Sequence, residues 1–215
     1  MTKPRVLMAD DHSLILAGLR KLVEAECEVV GMVEDGRALV EAAKKLRPDL
    51  ILLDISMPLL NGLDAARQLR KLVPESKLIF LTMHASPTYA TEAFQAGGSG
   101  YLLKRSAASE LGLAIKAVLQ GQHYLTPSLT KDVLETVLKP STGEAVKAAS
   151  STLTDRQREV LQLVAEGHGT KEIATILNVS VKTVEFHKSR VMQQLDLHTT
   201  ADLTKYAITH GITGL

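Results

Sequence analysis

A doubly wound α/β domain followed by a small all-α domain is the fold that this chain predicts. Three observations carry that expectation. Over roughly the first 120 residues, short apolar runs alternate five times with segments of helical periodicity. The short runs are apolar throughout rather than at every second position, as befits strands covered on both faces. From Leu153 onward helical periodicity continues and no strand-like run returns. Right-handed crossovers between the strands then give an open, five-stranded parallel sheet with helices on both of its faces.

In chain order, "RVLMA" (5–9) reads as a buried strand. "SLILAGLRKLVEAE" (13–26) reads as a helix with Ser13 as its N-cap. The strands "EVVGMV" (28–33), "LILL" (50–53), "KLIFLT" (77–82) and "GYLL" (100–103) follow. Between them lie the helices 36–46, 61–73 and 87–97, the last stopped by Gly97 and Gly98. A fifth helix spans 106–121, with Ser106 as its cap. Residues 122–152 change character. They offer one more helix over 128–138 and then a small, polar stretch, "KPSTGEAVKAASST" (139–152), which reads as a linker. Four helices follow, over 154–167, 170–178, 180–196 and 199–211, with Thr154 and Ser180 as caps. The expected domains are therefore 1–121, a linking segment 122–152, and 153–215.

Composition excludes several classes of function. A hydrophobic fraction of 45% is enough for a real core. Aromatic residues make up only 3%, which argues against a membrane belt or a broad base-stacking surface. The longest apolar runs, about six residues, fall far short of the roughly 20 that span a bilayer. "MTKPRVLMADD" meets its acidic residues too early for a signal peptide. The single cysteine, Cys27, excludes an internal disulfide and reads as a small buried hydrophobe. These features point to a cytoplasmic protein with no membrane partner. The net charge of +1 favours no partner, so nucleic-acid binding would require the positive charge to be gathered on one face.

Ligands of an open parallel sheet bind beyond the C-terminal ends of its strands. The residues placed there are Asp10 and Asp11, Asp54, Thr82 and Lys104. Taken singly, each has an ordinary reading: a solvated turn capping the first helix for the Asp pair, an Asx turn for Asp54, an exposed strand end for Lys104. Taken together, three carboxylates in one cleft need a cation. Mg²⁺ suits them, because it takes one or two carboxylates plus water and phosphate oxygens. A carboxylate can then act as a nucleophile toward a phosphoryl group, whose charge the metal and the ammonium neutralise.

"MADDH", "LILLDISMPLLNGLD", "LTMH" and "GYLLK" resemble the flavodoxin-like receiver domain of two-component response regulators, over about the first 121 residues. The resemblance implies that Asp54 is the phospho-acceptor, charged by a sensor histidine kinase. It implies that Asp11, Asp54 and the Ser56 carbonyl bind Mg²⁺, with Asp10 acting through water. Lys104 would contact the phosphoryl group, and Thr82 and Tyr101 would be the switch pair. Pro58 and Gly62 would shape the loop that carries Ser56, and Ser56 and His84 would flank the site. Such a receiver catalyses only its own phosphoryl transfer and dephosphorylation. Arg105 stands where many receivers have a proline.

"KEIATILNVSVKTVEFHKSRVMQQL" has the form of a helix-turn-helix. Ile173, Ala174, Leu177, Val179, Val184 and Val191 are spaced to pack on one another and on Val160, Leu161 and Val164. The third helix presents Lys182, Thr183, Glu185, Phe186, Lys188, Ser189 and Arg190 outward. A helix of this size fits the DNA major groove. The ordinary reading is a helical bundle for protein contact, merely solvated by its charges. The stretch 153–212, however, is similar to the LuxR-type DNA-binding domain, and joined to a receiver it resembles a NarL/FixJ-type response regulator. That resemblance implies phosphate contacts from Lys171, Lys182, Thr183, His187 and Lys188, and base reading near Glu185, Phe186 and Ser189. It makes the fourth helix the dimer contact. Asp196 replaces a common glycine, and Thr170 a common asparagine. The expected function is a phosphorylation-gated transcription regulator that binds an inverted repeat in double-stranded DNA as a homodimer. A regulator whose receiver is independent of phosphorylation is the alternative, and a Mg²⁺-dependent phosphatase the enzymatic competitor.

Overall fold

Each apolar run of the first half forms a strand. In the computed structural model, which describes residues 3–138 and 153–213, these are β1 (Arg5–Ala9), β2 (Glu28–Val33), β3 (Leu50–Leu53), β4 (Lys77–Thr82) and β5 (Gly100–Leu103). A sixth strand, β6 (Tyr124–Leu125), pairs parallel with β5 and extends the sheet beyond the five strands expected. Two residues are too few to carry a period, so β6 left no mark in the sequence pattern. The parallel order is β2-β1-β3-β4-β5-β6, with the order reversing at β1 and β3. Strands β3 to β5 are buried at nearly every position, as expected of strands covered on both faces. Strand β2 is only half-buried, because it lies at the edge and pairs with β1 alone.

The helices of this unit are α1 (Ser13–Glu24), α2 (Gly36–Leu46), α3 (Gly62–Leu72), α4 (Pro87–Gln95), α5 (Ala107–Leu119) and α6 (Pro127–Leu138). One expected cap differs. The N-cap of α1 is His12, with Ser13 already inside the helix, because the Asp10 carboxylate accepts the His12 backbone N–H and starts the turn one residue early. Ser106 holds the N-cap position of α5 as expected, but its backbone angles are helical and its side chain makes no cap bond, since a 3-10 turn over Lys104–Ser106 leads directly into α5. Residues 122–138 of the expected linking segment form β6 and α6, and 139–152 lie outside the described residues. Leu16, Leu19, Val23, Leu111, Ile115 and Val118 of α1 and α5 pack with Val6, Met8, Leu50, Leu52, Ile79 and Leu81 on one face of the sheet. Cys27 is buried in this core, and burial, then the charge of Glu26, pushes its thiol upward and away from thiolate chemistry.

The second unit is all helical: α7 (Asp155–Ala165), α8 (Thr170–Ile176), α9 (Val181–Leu195) and α10 (Thr200–Thr209). A capping box of Thr154 and Gln157 opens α7, and Ser180 caps α9 by accepting the Thr183 N–H. Val160, Leu161, Val164, Ile173, Ala174, Leu177, Val184 and Val191 form its core with Leu203 and Ala207 of α10. The turn between α8 and α9 passes through Asn178 at φ 51°, a left-handed conformation that asparagine tolerates. Thr170 is the first residue of α8, with Gly169 as N-cap. Asp196 ends α9 at φ 53° and donates its N–H to Met192 O. It occupies a position where glycine carries no Cβ penalty. Asp196→Gly is expected to stabilise the end of α9 by about 0.5–1 kcal/mol. Amide hydrogen exchange over the last turn of α9 should slow a few-fold, and unchanged or faster exchange would contradict this.

Candidate functional site

The strand ends assemble the first site through the backbone. Asp10 N donates to Val33 O at 3.2 Å, and Asp54 N donates to Ala9 O at 2.9 Å. The ladder thus runs one residue past β1 and β3 and sets their carboxylates beside each other. Both are buried, at 2% and 4% exposure. Lys104 follows β5 directly and reaches over to both of them. Its Nζ donates to Asp10 Oδ2 at 2.6 Å and to Asp54 Oδ2 at 2.7 Å, with the side chain only 6% exposed. Burial alone would lower the Lys104 pKa, but the hydrogen bonds and charges of Asp10 and Asp54 outweigh it and hold the ammonium above its ordinary value. Lys104 is therefore no exposed strand end. The peptide bond to Arg105 is trans, as are the others among the described residues.

The second oxygens of the carboxylates face the loops. Asp54 Oδ1 accepts the Ile55 N–H at 2.6 Å, and Asp10 Oδ1 accepts the His12 N–H at 3.0 Å. Asp10 thus also fills the turn-forming role that it suggests on its own, whereas the Asp54 bond reaches only the next residue and makes no Asx turn. Asp11 is exposed and meets His12 Nδ1 at 2.8 Å. Ligand atoms of Asp10, Asp11, His12 and Asp54 all lie within 4.8 Å of one another, an acidic cluster able to hold a metal ion. The place of His12 in it escaped the sequence reading, although its position directly after the Asp pair was the available signal.

The loop after Asp54 is fixed by a close approach. A Cβ on Gly62 would lie 1.9 Å from the Asp54 carbonyl oxygen, and Gly62 N donates to Ile55 O at 2.8 Å. No other residue type fits there without moving the Asp54 main chain.

Ser56, Thr82 and Tyr101 meet around His84 rather than around the carboxylates. Thr82, the last residue of β4, is fully buried and accepts the His84 N–H at 3.3 Å. The Tyr101 hydroxyl donates to the His84 carbonyl at 2.8 Å. Ser56 Oγ and His84 Nε2 share a hydrogen bond of 2.9 Å, and the His84 ring stacks on Tyr89 of α4 at 4.4 Å. Burial first, then Tyr89 and the Asp54 charge, push the Tyr101 phenol above the tyrosine range.

A separate surface lies on α8 and α9. Lys171, Lys182, Glu185, Phe186, Ser189 and Arg190 are exposed, whereas Thr183, His187 and Lys188 are half-buried. Thr183 Oγ1 meets Ser180 Oγ at 2.8 Å in the cap, and Lys188 donates to Thr200 Oγ1 at 3.0 Å. Charge in this unit is sorted by helix. Arg156 and Arg158 of α7 are paired with Glu159 and Asp155. Glu172 accepts the Gly169 N–H at the start of α8. Lys171, Lys182 and Arg190 carry no ion pair among the described residues, so an overall neutral unit still presents unpaired cations on α8 and α9.

Among the described residues no helix is long and apolar enough to cross a membrane. Comparison with known families matches residues 6–116 to the response regulator receiver domain and 151–207 to the luxR family of bacterial regulatory proteins. The chain is 34% identical to the transcriptional regulatory protein MctR of Rhizobium johnstonii, over 98% of this chain and 95% of that one. It is similar to the RcsB response regulator of Salmonella typhimurium at a TM-score of 0.63 and 30% identity, covering 98% and 99% of the two chains. It is also similar to RcsB in an RcsB–DNA complex at a TM-score of 0.59 and 28% identity, over 97% and 99%. Two parallel-sheet carboxylates bridged by one lysine, an exposed basic helix-turn-helix, and these matches across both units lead to one conclusion: the chain belongs to the two-component response regulators of the NarL/FixJ type, with a receiver followed by a LuxR-type DNA-binding domain.

Proposed function

We propose that Asp54 is the phospho-acceptor and that its phosphorylation controls DNA binding by the helical unit. The bridge from Lys104 to Asp10 and Asp54 is the observation that carries this reading. An Asp54 oxygen attacks the phosphorus of a kinase phosphohistidine, a P–O bond forms, and the P–N bond breaks toward the histidine. Lys104 is placed to leave its contact with the Asp54 oxygen and accompany the incoming phosphoryl oxygens. Asp10, Asp11, Asp54 and the main chain of Ser56 are the ligand set for Mg²⁺, which as a hard cation fits these oxygen donors and would supply charge neutralisation. Thr82 and Tyr101 are the switch pair. Both now bond the backbone of His84, so a Thr82 hydroxyl drawn toward a phosphoryl group gives up the contact that orders this loop.

On the helical unit, Lys171 and Lys182 are exposed phosphate contacts, with Thr183, His187 and Lys188 at the flanks of α9. Glu185, Phe186 and Ser189 face the base edges. Glu185 can accept from a cytosine amino group, and Phe186 can touch a thymine methyl. A two-fold homodimer formed through α10 would read an inverted repeat. The protein acts in the cytoplasm downstream of a sensor histidine kinase. Its receiver turns over no substrate beyond its own phosphoryl group.

Incubation with Mg²⁺ and acetyl phosphate is expected to add one phosphoryl group, seen by intact mass, and Asp54→Ala to add none. An adduct on both would mean a different acceptor, and none on either would favour regulation independent of phosphorylation. DNA affinity should fall steeply with salt, and Lys182→Ala should reduce the slope of log affinity against log salt by about one. A slope unchanged in Lys182→Ala removes that residue from the phosphate contacts.

The raised Tyr101 pKa fixes the sign of an alkaline effect. The unfolded phenol releases its proton near about pH 10. The folded phenol holds it longer, so stability from Tyr101 is present below that pH and is lost as pH rises toward the folded value. The ultraviolet titration of the parent minus that of Tyr101→Phe should show Tyr101 ionising only as the chain unfolds. Ionisation at the ordinary midpoint in folded protein would contradict the burial.

A further inference from the structure

Arg190 stands apart from the other arginines of the helical unit. Arg156 and Arg158 are tied down by carboxylates and by the carbonyls of Leu177 and Leu153. Arg190 is exposed, has no carboxylate among the described residues, and holds its guanidinium 5.5 Å over the ring of Phe186, one helical turn earlier. Phe186 is itself 56% exposed, with its ring edge-on to His187 at 5.6 Å.

The helical wheel gives this contact a direction. Val184 and Val191 bury the inner face of α9. At 3.6 residues per turn, Lys182, Phe186, Ser189 and Gln193 centre the opposite face, and Arg190 stands on its flank. Stacking on Phe186 draws the Arg190 guanidinium from that flank toward the centre of the exposed face. It also orders a planar fork of N–H donors that would otherwise sample many rotamers. A fork ordered on a helix in the major groove matches guanine O6 and N7, and the edge of an apolar ring matches a thymine methyl. The separation of 5.5 Å lies between one and two base-pair rises of about 3.4 Å, so the two groups are close enough to reach neighbouring pairs.

We infer that Arg190 and Phe186 act as one reading element, with Arg190 selecting a guanine beside the thymine that Phe186 touches. This deepens the DNA-binding reading above and rests on it. It assigns to Arg190 a base contact, whereas the neighbouring Lys182 contacts phosphate.

The test is selection of binding sites from a random duplex library by the full chain, phosphorylated with acetyl phosphate and Mg²⁺. The parent chain is compared with Arg190→Ala, Arg190→Lys and Phe186→Leu, and the salt dependence of each is measured on the parent's best site. The parent should select a motif with a fixed guanine. In Arg190→Ala, and equally in Arg190→Lys, preference for that guanine should fall about tenfold or more while the rest of the motif persists. Phe186→Leu should weaken both the guanine and the neighbouring thymine. A motif kept intact in Arg190→Ala, with a salt slope lower by about one, would make Arg190 a phosphate contact and overturn the inference. Motif and slope both unchanged would also overturn it. A parent chain that selects no motif would instead defeat the sequence-specific DNA-binding reading itself, and this inference with it.

Discussion

The ammonium of Lys104 is the interaction on which the first unit's site depends. It joins the ends of three strands: Asp10 after β1, Asp54 after β3, and its own position after β5. Two buried carboxylates placed side by side repel each other. One buried ammonium between them removes that repulsion, and each carboxylate spends its second oxygen on a backbone N–H. Desolvating three charges costs several kcal/mol per ion, so such a cluster is poor value as a device for stability alone. Its position at the C-terminal edge of a parallel sheet gives it a use. One negative charge there is left without full compensation, and Asp11 adds a second at the rim.

A second network sits beside the first and is wired differently. Ser56, Thr82, Tyr101 and Tyr89 all converge on His84, two of them through its backbone and two through its ring. The carboxylate cluster and the His84 cluster share β3 and its loop, since Asp54 belongs to one and Ser56 to the other. A charge placed on Asp54 is therefore two residues from a hydrogen bond that reaches α4 through the His84–Tyr89 stack.

Much of this was legible in the sequence, for identifiable reasons. The strand ends could be named because apolar runs in a parallel sheet stop where the ligand edge begins, and Asp10, Asp54, Thr82 and Lys104 all fall at such stops. The core of the helix-turn-helix could be named because Ile173, Ala174, Leu177, Val184 and Val191 follow the helical period. What escaped depends on how loops return in space. The two residues of β6 pair with β5 only because the chain re-enters the sheet edge. The cap at Ser13 failed because the backbone turned one residue before it, and Ser106 holds the expected N-cap position without its side-chain bond because a 3-10 turn runs into α5. His84 gathers its partners from positions 56, 82, 89 and 101, a spacing with no period. The sorting of charge onto α8 and α9 is likewise invisible in a balanced count, since it arises from ion pairs that occupy the arginines of α7.

Gly62 has one further consequence, for anyone who would move this site elsewhere. Its α-carbon faces the Asp54 carbonyl at a distance that leaves no room for a side chain, and its N–H closes the loop on Ile55. Asp54 and the first turn of α3 are thus joined in one packed part, with a seven-residue loop folded back between them. Grafting Asp54 onto another sheet by copying only the strand and its acidic neighbours would transplant the charge without its frame. The portable unit runs from β3 through the start of α3, and a scaffold that cannot bring that helix start against the strand end cannot host it.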